Sequence, residues 1–79
     1  MDKRLAGVLA EVFRIKDSEI VPELHKSDVG SWDSLKQMDL VMSLENEYGN
    51  TLAIPDILKM VSVGGIIEVL RDKGVDLAD

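Results

Sequence analysis

Apolar residues recur along this chain at helical spacing and nowhere in the alternation of a half-buried strand, which restricts the fold to packed helices. Leu5, Val8, Leu9, Val12 and Phe13 fall at i, i+3, i+4, i+7 and i+8 with charged residues opposite, predicting a first helix over residues 3–14. Leu40, Val41, Leu44 and Tyr48 form a second stripe, in a helix from about Ser34 to Tyr48 that Gly49 and Asn50 stop in left-handed geometry. Pro55 suits the first turn of a short third helix reaching about Met60. Ser62 can cap a fourth, carrying Val63, Ile66, Ile67 and Leu70 and ending near Lys73 and Gly74. The expected fold class is all-α: a small four-helix bundle with three longer helices and a short third, making one domain over residues 1–79.

Between the first two helices, residues 15–33 break into scattered apolar positions among turn formers, with Pro22, Gly30 and Ser31 as punctuation. So long a connection needs its own anchors, and Ile20, Leu24 and Trp32 are the candidates. A second irregularity is the pair Gly64 and Gly65 in the first turn of the fourth helix, where each costs about 1 kcal/mol relative to alanine. They are read as close packing against the second helix, as glycines tolerated near a cap, or as a weakened turn that lets the fourth helix shift.

Composition excludes several function classes. The chain has no cysteine, so disulfides, thiolate metal sites and a cysteine nucleophile are out, as suits a reducing cytoplasm. Nine Lys and Arg against fifteen Asp and Glu give a net charge of −6, which argues against nucleic acid and for protein partners with basic surfaces. No apolar run is long enough to cross a bilayer, and the N-terminus reads as unprocessed. Asp17, Glu19 and Glu23 lack calcium-loop spacing, so no metal site is expected. The single histidine, His25, lies in the long loop without an evident orienting partner, so a hydrolase built on a serine has no base and no catalytic residue is assigned.

The chemistry concentrates where the long loop becomes the second helix, at Trp32-Asp33-Ser34-Leu35. Asp33 is a good N-cap, leaving the Ser34 hydroxyl on the exposed N-terminal edge, where free amides and the helix dipole favour an anion by roughly 0.3–1 kcal/mol. The second helix also carries a second apolar face, Leu35, Met38 and Met42, rimmed by Asp39, Glu45 and Asn46. A central helix with two apolar faces can pack against neighbours on both sides; the other reading is a docking strip, since a narrow apolar face with two adaptable methionines and an acidic rim suits a surface that several proteins dock on in turn.

Asp33-Ser34-Leu35, then Leu40-Val41-Met42-Ser43-Leu44-Glu45, then Ile54-Pro55-Asp56 closely resemble the acyl carrier proteins, and four helices with a long first loop match that architecture over the whole chain. The resemblance implies that Ser34 is the attachment point of 4'-phosphopantetheine, derived from coenzyme A, with Asp33 capping the helix beside it. A phosphopantetheinyl transferase, using a magnesium ion that Asp33 helps it hold, would load Ser34. Acyl-loading and acyl-processing enzymes would follow, docking on Leu35, Met38, Asp39, Met42 and Glu45. The chain would be a cytoplasmic, monomeric carrier of thioester-linked acyl groups in fatty-acid-type, polyketide or other specialised biosynthesis. Trp32 and Lys36 stand where housekeeping members usually have a small residue and an acid, which favours a specialised carrier. Two alternatives stay open: an aminoacyl or peptidyl carrier, and a non-carrier helical adaptor that binds through Leu35, Met38 and Met42 while Ser34 merely starts a helix.

Overall fold

The computed structural model describes residues 1–78. Four α-helices follow one another: α1 (Lys3–Phe13), α2 (Ser34–Tyr48), α3 (Ile54–Lys59) and α4 (Val63–Asp72). The helices lie within about two residues of the sequence expectation. α1 stops at Phe13 because Arg14 takes a left-handed conformation (φ 57°) and its amide closes on Ala10. α3 starts at Ile54 rather than Pro55, with proline inside its first turn where the missing N–H costs nothing.

α1 packs against α2, and α3 against α4. The stripes meet in one core: Leu5, Leu9 and Phe13 from α1, Leu40 and Leu44 from α2, and Val63, Ile66 and Leu70 from α4 are sealed from water. Each such side chain contributes about 1.5–3 kcal/mol by burial. At the far end of the α1/α2 pair, Arg4 bonds Glu47 (Nε to Oε2, 2.6 Å) and lies 4.9 Å over the Tyr48 ring.

The long connection is ordered by more than its apolar anchors. Ile20, Val29 and Trp32 are buried and Leu24 half-buried. Short 3-10 turns at Asp17–Glu19 and Lys26–Asp28 break the path. Its backbone also pairs with the α3–α4 junction: the Lys26 amide donates to Val61 (2.8 Å), Val63 to Leu24 (2.9 Å) and Gly64 to Pro22 (2.9 Å). These bonds satisfy main-chain groups that would otherwise need water in a segment without regular structure. Exposed His25 caps the second turn, its Nδ1 accepting from the Ser27 amide.

The same junction accounts for Gly64 and Gly65. Neither packs against α2, the neighbour the sequence suggested. A Cβ on Gly65 would enter the space of the Lys59 carbonyl oxygen, and one on Gly64 would lie 3.2 Å from the Pro22 carbonyl oxygen. The glycines let the end of α3 and the long loop close onto the first turn of α4. α3 is further tied to α4 by Asp56 and Lys73 (2.9 Å). That ion pair and the Ala53 amide hold the Asp56 carboxyl below the usual carboxylate range.

Candidate functional site

The turn leading into α2 is anchored from below. Trp32 is buried, its ring tilted by 32° against Phe13 with centroids 4.4 Å apart. Two residues on, the chain is exposed, and the change is made at Asp33: its backbone is extended and its carboxylate accepts from the Lys36 amide (2.9 Å). Ser34 is the first helical residue and lies at the surface. Among the described residues its hydroxyl joins no hydrogen bond, and the Ser34 and Leu35 amides, at the positive end of a 15-residue helix, find no acceptor among them either. A phosphate ester on Ser34 would meet free donors and no obstructing side-chain bond.

Downstream, α2 divides into the two faces expected. Leu40, Val41 and Leu44 are buried, with Tyr48 half-buried. Leu35, Met38 and Met42 are 81%, 54% and 65% exposed, far too open to be core. Asp39 is exposed beside them and 3.9 Å from Lys36. Met42 and Asp39 also border an open groove between α1 and α2 that Val8 and Val12 floor. Glu45 is committed differently: its carboxylate accepts from the Leu52 amide at 2.8 Å, tying α2 to the segment before α3.

Sequence reasoning missed two parts of this region. Ile54 and Leu58 on α3 are 72% and 71% exposed, and at four residues apart they form a short apolar ridge. α3 is too short for periodicity to separate such a ridge from a buried stripe. The second is Gln37, whose side chain donates to the Ile57 and Met60 carbonyls and accepts from the Trp32 indole. No local pattern links a glutamine to carbonyls twenty residues away.

Residues 3–70 match the model of a known family, described as the phosphopantetheine attachment site. The chain belongs to this family, that of the acyl carrier proteins. It is similar to the acyl carrier protein of Thermotoga maritima, 29% identical over 70 residues that span 89% of this chain and 86% of the relative. Members are non-catalytic carriers, and the family's cofactor is covalently attached 4'-phosphopantetheine. Ser34 is exposed and, among the described residues, no general base is bonded to its hydroxyl.

Proposed function

We propose that this carrier protein holds 4'-phosphopantetheine on Ser34 and presents acyl groups, as thioesters at the end of that arm, to a series of partner enzymes. The observation that carries the reading is the Ser34 hydroxyl: surface-exposed, outside every hydrogen bond among the described residues, and at the N-terminus of α2 beside two free amides. When bound, the arm supplies a thiol that this cysteine-free chain lacks. Asp33 holds the helix start, so the serine is presented in one orientation. The Ser34 oxygen forms the new bond to phosphorus as the adenosine bisphosphate portion of coenzyme A leaves, and its proton passes to a base on the transferase. Magnesium on the pyrophosphate, bound by that enzyme with help from Asp33, would neutralise the leaving group.

Leu35, Met38 and Met42, with Asp39 and the half-buried Glu45, form the docking strip for the transferase and for acyl-loading and acyl-processing enzymes. The exposure of the three apolar side chains supports this, as does the net charge of −6, which steers basic partner surfaces toward it. Residues 1–79 act as one monomeric, cytoplasmic carrier unit. Trp32 and Lys36 favour a specialised pathway over housekeeping fatty-acid synthesis, and the similarity to an acyl carrier protein favours an acyl over an aminoacyl cargo.

Intact mass after incubation with coenzyme A and a phosphopantetheinyl transferase tests the reading. The wild-type chain gains one arm and Ser34→Ala gains none. Loading of Ser34→Ala, or loss of loading in Ser27→Ala, Ser31→Ala or Ser43→Ala with the fold intact, would place the site elsewhere.

A further inference from the structure

Gln37 occupies an unusual position in the hydrogen-bond network. Its Oε1 accepts from Trp32 Nε1 at 2.6 Å, while its Nε2 donates to the Met60 carbonyl at 3.1 Å and the Ile57 carbonyl at 3.3 Å. The three bonds fix the amide's orientation, because an indole N–H can only donate and a carbonyl can only accept. One side chain on the first turns of α2 therefore joins the residue two before Ser34 to the last turn of α3.

That last turn needs an external partner. α3 has six residues, too few to be stable alone, and at its end the Ile57 carbonyl accepts from the Met60 amide (3.1 Å) as well as from Gln37. Glu45, eight positions further along α2, holds the approach to α3 through the Leu52 amide (2.8 Å). Glu45 and Gln37 thus pin α3 to α2 at its two ends, and only the Gln37 tie also reaches the turn that presents Ser34. The Trp32 ring is fixed in the plane of its stack by Phe13, but its edge is fixed by Gln37.

We propose that Gln37 is a positioning residue for the loading of Ser34. Through Trp32 it sets the turn Trp32-Asp33-Ser34, and through the Ile57 and Met60 carbonyls it makes that turn depend on how α3 is seated. An enzyme that grips α2 and α3 together thereby acts on the geometry of the serine it modifies. The inference rests on Ser34 being the attachment site.

Three variants separate its parts. Gln37→Leu keeps the side-chain bulk and removes all three bonds. Gln37→Glu keeps an acceptor for Trp32 and loses the donors to α3. Trp32→Phe keeps an aromatic ring on Phe13 and removes the indole N–H. Steady-state arm transfer from coenzyme A is measured for each, alongside hydrogen exchange of the Trp32 indole N–H and of amides 57–60. A misplaced nucleophile loses rate at the chemical step, so Gln37→Leu and Trp32→Phe lower kcat on the order of ten- to a hundredfold with KM little changed, since the apolar strip is untouched. In Gln37→Glu the indole N–H stays protected while amides 57–60 exchange faster. If the wild-type chain is loaded and Gln37→Leu shows wild-type kcat with its indole N–H unprotected, the bracket is structural and the positioning role is overturned. Should Gln37→Leu not fold, or keep its indole N–H protected, Trp32→Phe decides: a folded variant with wild-type kcat overturns the positioning role. A wild-type chain that takes no arm overturns the assignment of Ser34, and the positioning role with it.

Discussion

Alanine at three helical glycines gives a graded test of how α3 is seated on α4. At Gly7, within α1, an added Cβ meets nothing within 4 Å, so Gly7→Ala simply recovers helix propensity, a gain of about 1 kcal/mol. At Gly64 the Cβ lies 3.2 Å from the Pro22 carbonyl oxygen, a contact the loop relieves by giving a few tenths of an ångström. Offset by a first-turn propensity gain smaller than at Gly7, the net change is within about 0.5 kcal/mol. At Gly65 the Cβ enters the space of the Lys59 carbonyl oxygen, inside the 3.0 Å that real Cβ atoms respect, and the obstacle is backbone. Overpacking costs about 1–3 kcal/mol, at the upper end where backbone must move, so the net loss is about 1–2 kcal/mol.

Thermal and urea unfolding of the three variants read the series directly. At about 4–8 °C per kcal/mol for a domain this size, Gly7→Ala melts above wild type, Gly64→Ala near it and Gly65→Ala well below. The order matters more than any single value. Gly65→Ala as stable as Gly7→Ala would refute the reasoning, because the end of α3 would then not rest on the first turn of α4. Gly64→Ala also tests the gating alternative, since a glycine that lets α4 shift would change loading or unloading when replaced, whereas a packing glycine leaves both alone.

Met42→Glu leaves helicity and melting nearly unchanged, because the side chain is 65% exposed, yet slows arm transfer; a loss of several kcal/mol would show the strip to be core. Asp33→Ala removes the α2 cap and costs about 1 kcal/mol in urea unfolding, and an unchanged midpoint would mean the Lys36 amide is equally well served by water. Asp56 has its folded pKa lowered by Lys73 and by the Ala53 amide, so its contribution is present above the ordinary value of 3.8 and is lost as pH falls through the depressed folded value. Asp56→Asn therefore melts below wild type at neutral pH, and the gap narrows in acid; a gap that is the same at every pH would show that the ion pair is not its source.

What was legible in the sequence follows from how local the cause is. The stripes Leu5-Leu9-Phe13 and Leu40-Val41-Leu44 could be read because a helix's buried face is written in its own spacing. Ser34 and its cap could be read because Asp33 and the Lys36 amide are three residues apart. The exposed face of α2 was legible as a second apolar face, although its spacing alone reads first as core packing and only its acidic rim and methionines point to exposure. The course of residues 15–33 was not legible, because its order comes from backbone pairing with residues 61–64, which leaves no mark on residue type. Gly64 and Gly65 announced a close approach without naming its partner, and that partner proved to be the Lys59 and Pro22 carbonyls. Glu45 looked like one more rim acid, but its tie to the Leu52 amide gives it a structural task as well.

These contacts explain why so small a chain can present a serine in a defined way without activating it. The loop before Ser34 is fixed through Trp32 on Phe13, the helix after it through the Asp33 cap, and α3 alongside through Gln37 and Glu45. Every one of those bonds stops short of the Ser34 hydroxyl. The single histidine lies in the long loop with its Nδ1 engaged with Ser27, and among the described residues no side chain bonds the Ser34 hydroxyl. A nucleophile activated within the carrier would be reactive toward any electrophile it met, whereas one that is only positioned reacts when a partner brings the base and the phosphate donor together. Placing all the order around the hydroxyl and none on it is what a carrier requires, since selectivity then resides in which enzyme can dock.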